Sequence, residues 1–475
     1  MLAFFPFIVL IGLLICCISV FGNATLDGAS QVSLIISSGV CVLIGWLSKR
    51  LVWDNLEKEI TKKVASCTPS IIILLLIGAI GGTWMVSGIV PTMIYYGLQI
   101  LSPQWFLVST CIICALISLL IGSSWTTIAT VGVALLGIGK ALGFSDGWTA
   151  GAIISGAYFG DKLSPLSDTT VLASSVVGTP LFTHIKYMMQ TTVPTFLATL
   201  VIFLISGWLI DVSGEGDVQL FMDGLSHTFN ISPWLFLVPL VMGIMIMRRW
   251  PSLVVLFLAT LIAGIVALIA QPDRIREIAG TNTHSFLVLY EGVIRSCYDS
   301  TSISTGISEL DRLVSTRGMS GMMPTIWLII SAQVFAGALT ATGQLEDIMR
   351  YFQRLVKGTV SLVASTVGSA LFLNITSADQ FLSIILTSSM FKNMYAKMGY
   401  EPRLLSRSCE DGGTVTSVLV PWNTCGLTQS TVLGVATLTY LPYCFFNLLS
   451  PVVSISVAAF GWKINRRKVN IENSN

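Results

Sequence analysis

The chain has 475 residues, 53% of them hydrophobic and only 11% charged, with a formal net charge of +2. Soluble domains carry roughly 25% charged residues, and a mean hydropathy of +0.81 leaves too little polar surface for life in water. A soluble enzyme or nucleic-acid-binding module is excluded, and no nucleic-acid partner is expected; the lipid bilayer is the surroundings this composition requires.

In chain order, apolar runs of spanning length fall near 2–22, 31–48, 70–88, 104–121, 125–144, 190–211, 232–247, 251–270, 323–342, 380–400 and 444–461. Interrupted or shorter runs lie near 148–180, 358–373 and 408–440. The runs are continuous and do not alternate, which excludes a β-barrel. The expected fold is therefore an all-α polytopic membrane protein of about 10–12 spans. The first run has no charged leader and reads as a span, not a cleaved signal.

Loop charge sets the orientation. Lys49, Arg50, Lys58, Lys62 and Lys63 follow the second run and place that loop, and the N-terminus with it, in the cytoplasm. The connection from Pro91 to Gln104 has no charge, and that from Asp211 to Asp223 is acidic; both belong outside. Lys463, Arg466, Arg467 and Lys468 place the C-terminus in the cytoplasm. The long connection 271–322 carries five arginines yet falls outside by parity, since long loops obey the charge rule weakly.

Two stretches break the apolar pattern most sharply. Gly156–Pro194 packs Asp161, Lys162, Ser164, Ser167, Asp168, Thr169 and Thr170 around Pro165, and Pro421–Pro451 repeats the layout with Asn423 and Thr424 after Pro421. A glycine (Gly178, Gly434) and then a proline (Pro194, Pro451) follow each at matching distances. Two further polar breaks, around Ser123 and around Asn374–Asp379, precede them. The pattern predicts two inverted-topology repeats, residues 1–215 and 232–475, joined by an external linker at 216–231 and offset by roughly 255 positions. The pairs 104–144 and 358–400 are read as re-entrant hairpins or as two full spans each, and the sequence leaves both open.

Polar groups survive in a membrane interior where they line a cavity or face protein. Four clusters are expected to meet near the midplane: Ser123, Ser124, Thr126 and Thr127; Asp161, Ser164, Ser167, Asp168 and Thr169; Asn374, Thr376, Ser377 and Asp379; Glu410, Asp411, Thr414, Asn423 and Thr424. Carboxylate, amide and hydroxyl oxygens suit hard cations. A carboxylate out of water can hold either a proton or a cation, so competition at one site yields exchange. Each group also has a plain structural reading. Asp161 and Lys162 could pair with each other, Asn423 and Thr424 could cap a helix, and Glu410 and Asp411 could pair with Arg403 and Arg407 at a helix end. Asp379 could likewise cap a helix or pair with a distant lysine. His184 and Lys186 read as loop residues.

Cys111 and Cys114 sit in an apolar run and read as packing thiols. With three histidines and no H-E-x-x-H, no cofactor is expected and an enzyme is disfavoured. Pro165 also breaks the helix face that Asp161 and Asp168 would share.

At Gly160–Thr170, GDKLSPLSDTT, the chain resembles the NhaC-type sodium/proton antiporter family of the ion-transporter superfamily, and Pro421–Gly426, PWNTCG, agrees. The resemblance implies gradient-driven exchange of sodium for protons across a bacterial cytoplasmic membrane by alternating access. It marks Ser164, Ser167, Asp168, Thr169, Asn423 and Thr424 for test, with Asp168 and Asn423 as sodium ligands. Because the family also contains exchangers of organic anions, a sodium- and proton-coupled organic-anion or amino-acid exchanger of the malate/lactate type is the alternative, with Lys162 as partner to the carboxylate. A channel would need a continuous pore. Assembly as a homo-oligomer is left open.

Overall fold

The computed structural model describes residues 2–21, 28–210, 215–280 and 285–464. Arg466, Arg467, Lys468 and Asp211 lie outside the described residues. Among the described residues the chain is helical, its only β feature being a bridge between Thr301 and Thr316. Seven helices are long and apolar enough to cross a membrane, or nine if each of two bent pairs is one span. Of the expected spans, 2–22 is a shorter apolar helix, 232–247 and 444–461 fall in the bent pairs, 125–144 is broken by its π-helical stretch, and 380–400 is continuous but too polar. The linker region holds a helix, Glu215–Thr228, and the 271–322 connection folds into helices Pro272–Ala279, Phe286–Tyr298 and Ser308–Val314.

Each half contains a hairpin followed by a broken helix. The first hairpin has arms Pro103–Ile121 and Ser124–Ala141, the second arm passing through a π-helical stretch at Ile128–Gly132. The first broken helix runs Asp146–Leu163, stops at Ser164–Ser167, and resumes as Asp168–Val177. The second hairpin has arms Thr359–Thr376 and Gln380–Lys397. The second broken helix runs Pro402–Cys409, passes a π-helical turn at Glu410–Thr414, and resumes as Thr424–Leu433.

The breaks match position for position. Ser123 and Asp379 cap the second hairpin arms, each accepting a bond from the backbone N–H three residues on. Ser167 and Asn423 stand at the N-caps of the two resumed helices, and Gly178 and Gly434 end both in the left-handed conformation that glycine adopts without strain. All three pairs have the same separation in sequence. Pro165 starts its break as expected, since proline supplies no N–H and crowds the preceding turn. Pro194 and Pro451 instead lie inside Leu181–Leu209 and Phe445–Ala459, which continue through them.

Packing exchanges elements between the halves. Asp168–Val177 lies against Gln380–Lys397, and Thr424–Leu433 against Ser124–Ala141. Farther out, Ala29–Leu47 packs on Met323–Ala341, and Ser252–Ala270 on Thr68–Val86. Within the first half, Pro103–Ile121 and Asp146–Leu163 approach closely because Gly156 and Gly160, one turn apart, bring their backbone onto the Cys111 and Ala115 carbonyls. Small residues at this spacing are how membrane helices gain contact without a hydrophobic drive. Cys111 and Cys114 are buried in this interface as free thiols.

Candidate ion-binding site

In the first half the hairpin tip meets the helix break. Asp161 is buried, and its Oδ2 accepts from the Ser124 backbone N–H at 3.1 Å and the Ser124 hydroxyl at 2.7 Å. Its carboxylate thus faces the start of the second arm, where free N–H groups favour negative charge. Ser164 is buried and accepts from the Leu166 N–H at 3.2 Å; the Ser167 and Thr169 hydroxyls, also buried, share a bond of 3.0 Å. Gly122 closes the tip at φ +74°, where a Cβ would come within 2.6 Å of Leu166 Cβ. Asp168, on the first turn of the resumed helix, is exposed.

In the second half, Asn374 donates to the Gly413 carbonyl at 2.5 Å and to the Thr416 hydroxyl at 3.0 Å. Asn423 donates to the Asn374 carbonyl at 3.0 Å and caps its own helix by accepting from the Cys425 N–H at 3.0 Å. The Thr424 N–H reaches the Ala378 carbonyl at 2.9 Å, so this tip and break also close on each other. Ser377 and Thr376 return their hydroxyls to the Leu373 carbonyl, at 2.7 and 3.4 Å. Asp379 is buried and caps its helix through the Leu382 N–H at 2.9 Å, with the charge of the buried Lys63 acting on it outside ion-pair range. The capping roles of Asn423 and Asp379 are real. Asn423 does more than cap, because the same side chain ties the hairpin to the broken helix.

A third cluster joins the two halves; here the expected Asp161–Lys162 pair does not form, whereas the expected pairing of Asp411 with Arg407 does. Lys162 pairs with Asp411, not with its neighbour Asp161, and both side chains are fully buried. Consecutive residues on a helix point about 100° apart, so Asp161 turns to the hairpin while Lys162 turns to the second broken helix. Asp411 also accepts from Thr191 at 3.2 Å and Ser450 at 3.2 Å, and Arg407 Nε stands 3.9 Å away. Arg407, in the last turn of Pro402–Cys409, and Glu410, at its C-cap, are equally buried, while Arg403 pairs with Glu401. His184 is buried in the Leu181–Leu209 helix, with Nδ1 against the Ser406 hydroxyl at 2.8 Å; it is not a loop residue.

Thr191, Ser450 and Gln333, whose amide donates to the Ser377 carbonyl at 3.4 Å, escaped the sequence reading. Thr191, Thr195 and Thr199 form a hydroxyl stripe at one-turn spacing, a signal that was there to be read.

The oxygen-rich donor set suits a small hard cation. Among the described residues no three His, Cys, Asp or Glu side chains converge as a transition-metal site would need. Gly143-Phe-Ser-Asp-Gly147 has G-x-S-x-G spacing, but Ser145 only precedes the first turn of Asp146–Leu163, after a helix and not a strand.

A model of the Na+/H+ antiporter family matches residues 156–462. The chain is 36% identical over 432 residues to the Na(+)/H(+) antiporter NhaC of Alkalihalophilus pseudofirmus, covering 90% of each. It is 34% identical over 407 residues to the Na(+)/H(+) antiporter NhaC of Bacillus subtilis, covering 85% of this chain and 87% of that one. It is also 32% identical over 451 residues to the malate-2H(+)/Na(+)-lactate antiporter of Bacillus subtilis, covering 94% and 92%.

Proposed function

The chain belongs to the Na+/H+ antiporter family, and from that premise we propose how it works: sodium and a proton exchange across the cell membrane by alternating access at the crossing of the two broken helices. It is a multi-pass membrane protein and a secondary transporter that exchanges sodium for protons. The cation seat is Asp161 with Ser124, Ser164, Ser167 and Thr169. Asp168, exposed beside it, is the carboxylate an arriving cation meets first. Asn374, Thr376, Ser377, Asp379, Asn423 and Thr424 form the matching seat in the second half.

One observation carries this reading. A buried carboxylate on a broken helix is held by the tip of a hairpin, so its occupancy bears on the contact between two elements that must part for access to alternate. The matched caps and exchanged packing support a repeat between the two halves, and the loop charges support both termini in the cytoplasm. Sodium-driven proton flux in inverted vesicles tests it. Loss of flux in Asp161→Asn, in protein that still inserts, is expected; full flux in that variant would remove Asp161 from the mechanism.

A second reading, a sodium- and proton-coupled organic-anion or amino-acid exchanger, is favoured by Arg407, a buried guanidinium that donates no hydrogen bond. Lys162 no longer serves it, being occupied by Asp411. Uptake of labelled malate or lactate into proteoliposomes decides between the two.

A further inference from the structure

Glu410 is fully buried in the π-helical turn of the second broken helix, and neither carboxylate oxygen accepts a hydrogen bond. The Thr414 hydroxyl, one turn on, is the polar group within its reach. An ionised carboxylate without partners in a membrane interior is too costly to persist, so the group must carry a proton or be compensated by a nearby positive charge.

The surroundings show which charges are available. Lys162 and Asp161 approach from the first broken helix, and Asp411 is adjacent in sequence. Arg407 lies one turn earlier on the same element, its guanidinium against the Tyr187 ring at 4.9 Å. Of the other elements packed on the turn, the arm Thr359–Thr376 and the helix Phe445–Ala459 carry no ionisable side chain. Gln380–Lys397 carries Tyr395 and the exposed Lys392 and Lys397, and Asp168–Val177 carries the exposed Asp168. Cys409 meets the Ser388 hydroxyl at 3.3 Å. His184 lies close to the Lys162–Asp411 pair with Nε2 unbonded, as a neutral ring would leave it.

The buried charges therefore balance without Glu410: Lys162 and Arg407 against Asp161 and Asp411. When the cation seat at Asp161 is empty, neutrality requires Glu410 to be protonated. When sodium sits at Asp161, neutrality requires Glu410 to be bare. We infer that Glu410 is the proton-binding group of the exchanger, separate from the cation seat and linked to it through the buried Lys162–Asp411–Arg407 cluster. Sodium and proton then oppose each other by charge at a distance, not by competing for one carboxylate, and the coupling is reciprocal as linkage demands. A cleft of about 310 Å³ is lined by Tyr187, Gln190, Lys186 and Arg403, and the Arg407 guanidinium lies over the ring of the same Tyr187.

This inference rests on the sodium/proton reading. Its test uses the full chain in proteoliposomes and two assays: proton flux driven by a sodium gradient, and counterflow of radiolabelled sodium against unlabelled sodium at equal pH, which needs no net proton movement. Glu410→Gln, a fixed neutral side chain that opposes sodium as the proton does, is expected to lose sodium-driven proton flux at least about tenfold while keeping sodium counterflow at a raised half-saturating sodium concentration. Glu410→Asp is expected to restore proton flux with an altered pH profile, which a merely structural role would not produce. Sodium-driven proton flux in Glu410→Gln equal to the wild type would overturn the inference. So would loss of counterflow along with flux, since Glu410 would then belong to the cation seat or to the scaffold. A wild-type chain without sodium-driven proton flux would instead sink the exchange reading, an outcome visible before any Glu410 variant is made.

Discussion

Lys162 and Asp411, 249 positions apart, form an ion pair with both side chains completely buried between the two broken helices. Desolvation makes such a pair weak evidence for stability, but removing one partner strands the other. Lys162→Met or Asp411→Asn alone should destabilise by about 3–5 kcal/mol, and the double replacement by clearly less. Thermal unfolding in detergent, read as a double-mutant cycle, checks this. Additive losses would show that the two side chains do not depend on each other.

Asp161 and Asp168 should separate kinetically. Asp161 is buried and held by Ser124, whereas Asp168 is exposed at the entrance. Asp161→Asn should cut the maximal sodium-driven proton flux by roughly tenfold or more, while Asp168→Asn should mainly raise the sodium concentration for half-maximal flux. The reverse assignment would return the ion to Asp168.

Asn423 combines a helix cap with a bridge to Asn374. Asn423→Ala should cost about 1 kcal/mol for the cap alone. Asn423→Ser keeps an N-cap acceptor but cannot reach the Asn374 carbonyl. Stability close to wild type with weakened sodium dependence in Asn423→Ser would assign the bridge to transport; parallel losses in both would make it scaffold.

Gly122 and Gly178 both have positive φ, but only Gly122 abuts another element, Leu166 in the helix break. Gly178→Ala should cost only the backbone strain, about 1–2 kcal/mol. Gly122→Ala should cost more and reduce transport, because the hairpin tip must lift from the break. Equal unfolding temperatures for the two variants would mean that the tip and the break do not press together.

In the connection 301–316, Asp311 accepts from the Thr305 N–H at 2.5 Å and its hydroxyl at 2.6 Å, and these bonds hold its carboxyl below the usual aspartate range. A depressed folded-state value contributes stability above the unfolded pKa and loses it as pH falls through the folded one. Hydrogen exchange at Thr305 should therefore speed up on acidification below the ordinary aspartate range, and Asp311→Asn should abolish that pH dependence. Acid-insensitive exchange in the wild type would show that these bonds do not secure the turn.

Much of the architecture follows from local chemistry and was legible for that reason. Spanning length, proline breaks, glycine ends and the recurrence of both breaks are properties of short stretches, so Asp379 and Asn423 could be read as helix caps from residue order. The GDKLSPLSDTT and PWNTCG elements likewise pointed to the family. Which carboxylate faces what was not legible. Asp161 and Lys162 are neighbours in sequence, yet helical rotation sends one to Ser124 and the other to Asp411.

The sequence by itself determined a helical membrane chain with two interrupted halves and oxygen-rich breaks, because hydrocarbon tolerates polar backbone only where the chain supplies partners. Tertiary structure alone decided that Asp161 is enclosed while Asp168 is exposed, that Lys162 is already matched, and that Glu410 is buried away from any ion pair. Those outcomes depend on which helix from the other half lies against each face, and no local pattern encodes that.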